Sequence, residues 1–240
     1  MKRILPFVII LVVLAAALTS AWYLTRTIPA SQNPAANQPS PASPGSPQAS
    51  PAQTANPVVT GVPGADPPHV LGPANAPVKL EEFGDFECPP CGMFHPILEQ
   101  MRAEFGDKLQ ITFREFPLVP THQHALPAAS AAEAAGLQGK FWEMHDLIYE
   151  HQNDWKKEFD VRPIFEGYAK QIGIDVDRYK RDVDGEAVAN RIMQDGKRGH
   201  SLGVKGTPTV FMNGREVSFE NLPAEKLRVV IQSELRGASQ

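Results

Sequence analysis

A proline-rich stretch that carries no charge restricts the fold of this chain more than any other feature. Eleven of the 23 prolines lie between Pro29 and Pro68, and residues 31–65 contain neither a charged nor an aromatic side chain. Such a segment cannot bury enough apolar surface to offset its ordering entropy, so the composition predicts a disordered linker over residues 28–68. Residues 69–240 are long enough for one domain with a hydrophobic core and too short for two ordinary ones.

The charge of the foldable part argues against nucleic acid as a partner. All but three of the 23 Lys and Arg residues and all but one of the 27 Asp and Glu residues lie from residue 69 onward, so this part carries a net charge of about −6. It contains no basic stripe and no cluster of basic and aromatic residues, which are the usual marks of a nucleic-acid surface.

The N-terminal residues 1–27 predict a membrane anchor. Lys2 and Arg3 precede an uncharged apolar run over residues 4–24, which at about 1.5 Å per residue spans the ~30 Å hydrocarbon core. The positive charges favour a cytoplasmic N-terminus, so the rest of the chain is expected in the periplasm or at the cell surface. A cleaved signal peptide is the alternative, because Thr19-Ser20-Ala21 resembles a cleavage site. The long linker favours the anchor, since a tether has a use only when its other end is held.

The only two cysteines form the pair Cys88-Pro89-Pro90-Cys91. A disulfide between them closes a loop too short to add much stability, which argues against a structural role. A zinc site would need further ligands, and no second C-x-x-C is present. Redox chemistry is therefore favoured over a structural pair or a metal site.

This pair lies at a predicted junction between a strand and a helix. Residues 78–83 read as a short strand, and the apolar residues after the pair follow helical spacing: Phe94, Ile97, Leu98, Met101 and Phe105. Cys88 is thus expected at the helix N-cap, with the two prolines in the first turn. The helix dipole and free backbone donors favour a thiolate there. A fall of the Cys88 pKa from about 8.5 to about 4.5 would shift the redox couple by roughly 75 mV toward oxidising character.

With these features the sequence resembles thioredoxin-fold proteins of the DsbA type, in particular the membrane-tethered thiol–disulfide oxidoreductases of the bacterial envelope. The resemblance covers residues 70–214 and rests on the cysteine pair, on Pro96 in the following helix and on Gly206-Thr207-Pro208-Thr209-Val210 before a late strand. It implies that Pro208 is a cis proline beside the cysteines, preceded by Thr207, and that the neighbouring backbone pairs with the substrate chain.

The resemblance also implies an α/β fold, the thioredoxin fold with a helical insertion at about residues 118–202. The sequence predicts helices over residues 125–137, 140–152, 161–172, 175–183 and 186–202.

Three polar residues near the pair are candidates for a role in its chemistry. The resemblance implies a buried acid at Glu82, which would have a raised pKa and exchange a proton with the inner thiol. The alternative for Glu82 is a solvated strand residue, with Glu81 on the opposite face. Glu87 directly precedes Cys88 and should disfavour its thiolate. His95 follows Cys88 by about two helical turns and can face the active-site end of the helix.

The function implied by the resemblance is dithiol exchange without a cofactor, with Cys88 and Cys91 introducing disulfides into exported proteins. Such an oxidase needs a membrane redox partner of the DsbB or VKOR type that reoxidises its cysteine pair. A disulfide isomerase or reductase of the same fold uses the same atoms and stays open. A tethered binding or chaperone module with incidental cysteines is the alternative from another class.

Overall fold

The computed structural model describes residues 60–238. The predicted anchor and most of the predicted linker lie outside the described residues. Between residues 60 and 238, no helix has both the length and the apolar character needed to cross a bilayer.

A mixed five-stranded sheet forms the centre of the domain. Its strands are β1 (His69–Leu71), β2 (Val78–Gly84), β3 (Leu109–Glu115), β4 (Thr209–Met212) and β5 (Arg215–Val217), in the order β1-β3-β2-β4-β5. Strands β2 and β3 are parallel, and the other neighbouring pairs are antiparallel. The two short edge strands carry too few residues for a recognisable alternation, and the sequence did not reveal them.

Helix α1 (Pro89–Phe105) follows β2 directly, and helix α8 (Ala224–Ala238) ends the described chain. Side chains of both helices pack against one face of the sheet, in a cluster of buried residues: Leu80, Met101, Leu109, Met212, Leu227 and Ile231. Because successive strand residues face opposite sides, Glu82 shares the face of Leu80, on the side of α1. Glu81 faces the other side.

Six helices stand between β3 and β4, where the sequence predicted the insertion. They are α2 (Ala125–Gly136), α3 (Phe141–Glu150), α4 (Gln152–Trp155), α5 (Arg162–Gln171), α6 (Val176–Asp182) and α7 (Glu186–Ser201). All five predicted helices are present, with each end within two residues of the predicted one. The short helix α4 was not predicted. It begins at Gln152, where the predicted helix over residues 140–152 ends. Seven alanines of α2 are buried, and side chains this small let neighbouring helices pack closely against it.

The predicted boundary between linker and domain at residue 68 needs correction. The N–H of Ala65 donates to Oδ1 of Asp195 at 2.7 Å, and the Ala65 carbonyl accepts a hydrogen bond from Arg114 at 2.8 Å. Three residues earlier, the Val62 carbonyl accepts from Arg198 at 3.0 Å. Residues 62–65 therefore pack onto the domain, because charged side chains from β3 and α7 satisfy their backbone groups.

Candidate active site

The two cysteines lie at the N-terminus of α1, as predicted, and both carry free thiols. Cys88 has the extended backbone of an N-cap, Pro89 and Pro90 form the first turn, and Cys91 follows one residue later, fully buried. The Sγ of Cys88 donates to the carbonyl oxygen of Thr207 at 3.2 Å. The Thr207–Pro208 peptide bond is cis, and β4 begins at the next residue. The structure thus brings the predicted pair and the predicted cis-proline loop together.

The environment separates the two thiols into an acidic outer one and a masked inner one. The hydrogen bond from the Cys91 thiol, together with the Thr207 side chain and the Cys91 N–H, lowers the pKa of Cys88 to about 6 against the effect of burial. Burial raises the pKa of the Cys91 thiol well above its ordinary value, and the charges of Glu82 and Cys88 raise it further. At pH 7 Cys88 is therefore mostly thiolate while Cys91 stays protonated.

The pKa of Cys88 falls to about 6, which is less far than the fall to about 4.5 considered above. A pKa of about 6 supplies at most roughly 30 mV of oxidising character at pH 7, compared with roughly 75 mV. Pro90 explains part of the difference, because it removes an amide that an N-cap acceptor normally uses.

Glu82 is buried in the sheet, which excludes the alternative of a solvated strand residue. It stands opposite Phe113 of β3 and Val210 of β4, two residues after the cis proline. Burial raises the pKa of Glu82 to about 8, and the negative charge of Cys88 adds to the shift. A carboxyl group that holds its proton near neutral pH, with its charge felt by Cys91, can exchange that proton with the inner thiol.

Asp85 is a buried carboxylate whose negative charge opposes the Cys88 thiolate. The charge of Asp85 raises the pKa of Cys88, and the Oε2 of Glu87, the acid predicted to act there, accepts a hydrogen bond from the N–H of His124 at 2.6 Å. Asp85 is buried, and its oxygens hold the loop by accepting from the N–H groups of Glu87 and Leu118, both at 2.8 Å. The sequence predicted no role for Asp85; its position three residues before the pair is the only signal there.

Gln152 of the insertion supports the active-site loop and was not found from the sequence. Its Nε2 donates to the carbonyl oxygens of Phe86 at 2.8 Å and of Cys88 at 2.9 Å. The amide fits because residue 92 is glycine: a Cβ at Gly92 would lie 2.6 Å from Oε1 of Gln152. Gln152 is thereby a positioning residue that ties the insertion to the backbone on which the outer thiol stands.

We expect alkylation of Cys88 by iodoacetamide to follow a titration with a midpoint near pH 6. The rate should rise between about pH 5 and 7 and then stay level, because the thiolate is the nucleophile. The Cys91→Ala variant removes the largest contribution to the lowered pKa, so its midpoint should move upward toward the ordinary value. An unchanged midpoint in that variant would contradict the stated cause.

Replacing Gln152 by alanine is expected to lower the free energy of unfolding by roughly 2 kcal/mol. Two buried carbonyl oxygens would lose their donor, and each such loss costs about 1 kcal/mol or more. Urea unfolding measures the effect, and Gln138→Ala is the matched control, since Gln138 bonds only the exposed backbone of Asp175. A loss no larger than that of the control would contradict the supporting role.

Comparison with known proteins agrees with the fold described above. The family described as thioredoxin matches residues 65–233. Oxidised BdbD from Bacillus subtilis superposes with a TM-score of 0.63 at 26% identity, covering 73% of this chain and 98% of that one. MdbA, a thiol-disulfide oxidoreductase from Corynebacterium diphtheriae, gives a TM-score of 0.58 at 18% identity over 76% of this chain and 96% of its own. The DsbA-type proteins among the structural matches include α-DsbA2 from Wolbachia pipientis, with a TM-score of 0.57 at 24% identity, covering 69% of this chain and 86% of that one.

Similar curated sequences are parts of larger proteins named as transporters. The Na(+)/H(+) antiporter NhaA 1 of Salinispora arenicola is 42% identical over 151 residues, which is 62% of this chain and 22% of the antiporter. NhaA of Herminiimonas arsenicoxydans is 34% identical over 177 residues, 73% of this chain and 27% of the antiporter. The chain spans about a quarter of the length of these relatives, so the likeness concerns one domain of each.

Proposed function

The chain belongs to the thioredoxin family, and on that premise we propose that it is a thiol–disulfide oxidoreductase that introduces disulfides into exported proteins. The observation that carries the proposal is the asymmetry of the cysteine pair. An outer thiol with a pKa of about 6 stands beside a cis-proline loop, and the inner thiol is buried with a raised pKa. This is the arrangement that dithiol exchange requires.

The reaction starts from the oxidised pair. A substrate thiolate attacks the Sγ of Cys88, the bond between Cys88 and Cys91 breaks, and a mixed disulfide forms. Cys91 leaves as a thiolate and takes the proton that Glu82 holds, because its own pKa is far above neutral. The second substrate thiolate then attacks the mixed disulfide and releases Cys88 as a thiolate. Two electrons pass from the substrate to the pair, and the substrate gains one disulfide.

The low pKa of the outer thiol supports the oxidising direction. Stabilising the Cys88 thiolate stabilises the reduced protein relative to the disulfide, which makes the disulfide the stronger oxidant. The alternative direction, isomerase or reductase, has support in Thr207, since the resemblance extends to isomerase-like proteins with threonine before the cis proline.

Oxidation of reduced, unfolded ribonuclease tests the proposal. The oxidised full-length chain should restore ribonuclease activity from the reduced substrate. Rescue of scrambled ribonuclease without oxidation of the reduced form would instead identify an isomerase. The equilibrium constant with glutathione gives an independent measure, with a potential near about −120 mV for a strong oxidant and near about −270 mV for a reductant.

The same proposal includes a location and a partner. The charges at Lys2 and Arg3 and the apolar run over residues 4–24 support an anchor that holds the catalytic domain outside the cytoplasm. A quinone-linked membrane protein of the DsbB or VKOR type is the partner that would reoxidise Cys88 and Cys91. Membrane fractionation of cells expressing the chain tests the anchor, because a cleaved signal peptide would leave the domain in the soluble extracytoplasmic fraction.

A further inference from the structure

Two histidines and an aspartate meet between the active-site helix and the insertion. His95 comes from α1, and His145 and Asp146 come from α3. The Nε2 of His95 lies 3.1 Å from Oδ1 of Asp146, and the Nδ1 of His145 lies 2.9 Å from the same oxygen. One ligand atom from each residue lies within 4.8 Å of the other two. Among residues 60–238, no other three His, Cys, Asp or Glu side chains come so close together.

Aromatic side chains pack against these residues and leave one side of the group open. The His95 ring stacks on Tyr149 with the centroids 5.4 Å apart, and the His145 ring meets Phe113 and Trp142 edge-on, each at 4.9 Å. His145 is 4% exposed, and its Nε2 is buried with no hydrogen-bond partner in the described part of the chain. The Asp146 side chain is 35% exposed, so solvent reaches the group from that side.

We propose that His95, His145 and Asp146 form a binding site for one divalent transition-metal ion, with zinc as the best match. Imidazole nitrogen and carboxylate oxygen are common zinc ligands at about 2.0–2.2 Å, and three protein ligands leave a position for water. The separations of about 3 Å between the carboxylate oxygen and each ring nitrogen fit neighbouring corners of such a coordination sphere. Asp146 supplies the negative charge, and its exposed side supplies the entry path.

Binding at this site would join two parts of the fold. His95 follows Cys91 by four residues, one turn further along α1, while His145 and Asp146 belong to the insertion. A metal ion coordinated by all three would therefore stabilise the docking of the insertion on the active-site helix. It would do so without occupying Cys88 or Cys91, so the site is independent of the proposed redox reaction.

Zinc titration of the oxidised full-length chain tests the proposal. The disulfide between Cys88 and Cys91 keeps the thiols from binding the metal, and calorimetry with zinc chloride gives the stoichiometry and affinity. We expect one zinc ion per chain and a higher melting temperature with zinc than without, because the ion binds only the folded state. His95→Gln and Asp146→Asn should each weaken binding by about tenfold or more, since even the loss of a supporting contact costs about that much.

The control is His151→Gln. His151 also faces an aspartate, with its Nδ1 3.4 Å from Oδ2 of Asp154, but on the exposed surface, and its loss should leave zinc affinity unchanged. Thermal unfolding without metal identifies any variant that fails to fold, and the two ligand variants test the site separately. Absence of zinc binding by the parent chain, or equal affinity in all four proteins, would show that the group is a hydrogen-bonded triad only.

Discussion

The Cys91→Ser variant is expected to accumulate a covalent complex with its substrate while its turnover falls to the uncatalysed level. Cys88 keeps its N-cap position at the start of α1, beside the carbonyl of Thr207, and can still attack a disulfide, or be attacked in a mixed disulfide with glutathione. The buried thiol that would release it is missing. The mixed disulfide therefore persists, and non-reducing electrophoresis followed by mass spectrometry of the linked peptide detects it.

The matched control is the same substitution at the outer position. Cys88→Ser should lose turnover equally and form no covalent complex, because the remaining thiol of Cys91 is buried and has a pKa well above its ordinary value. Full activity of Cys88→Ser would remove the redox proposal and leave the alternative of a binding or chaperone module. A complex formed through Cys91 would overturn the assignment of outer and inner thiols.

The parts of the site that could be predicted from the sequence are those whose position follows from a local pattern. The spacing of apolar residues after Cys91 predicts α1, and proline preference for the first turn predicts the N-cap. Alternation along β2 separates Glu82 from Glu81, and the structure places them on opposite faces. The same reasoning works for the insertion, where each helix carries its own apolar periodicity.

The residues that could not be predicted act over long distances along the chain through backbone groups. Gln152 binds carbonyl oxygens 66 and 64 residues away. Every residue has a carbonyl group, so the sequence does not show which ones are its partners. The prediction for residues 62–65 was wrong for the opposite reason. Their composition predicts disorder because they carry no charge, yet the charges that hold them belong to Arg114, Asp195 and Arg198.

Replacing Glu82 by glutamine is expected to stabilise the reduced protein by roughly 3 to 4 kcal/mol at pH 7. Burial raises the pKa of Glu82 to about 8 in the folded state, while an unfolded glutamate titrates near about 4.3. The folded state therefore binds the proton more tightly than the unfolded state does. Stability from this group is complete below about pH 4 and is lost as the pH rises toward 8. Glutamine keeps the shape and does not titrate.

Urea unfolding at pH 4, 7 and 8.5 measures this effect. The parent and Glu82→Gln should have similar stability at pH 4 and diverge as the pH rises, to roughly 5 kcal/mol above pH 8. The divergence should be smaller in the oxidised protein, because the Cys88 thiolate that helps to raise the pKa of Glu82 is then absent. A gap that does not change with pH would mean that Glu82 titrates normally in the fold.

The neighbouring carboxylate provides a control of opposite sign. Glu81 is partly buried as well, and burial alone would raise its pKa, but hydrogen bonds from Arg198 and Arg114 lower the pKa below its ordinary value. The stabilisation from Glu81 is therefore present above the unfolded pKa and lost as the pH falls. Glu81→Gln should destabilise the protein at pH 7, whereas Glu82→Gln stabilises it. Since the two residues are adjacent on one strand, opposite effects would trace the difference to the sheet face that each carboxylate occupies.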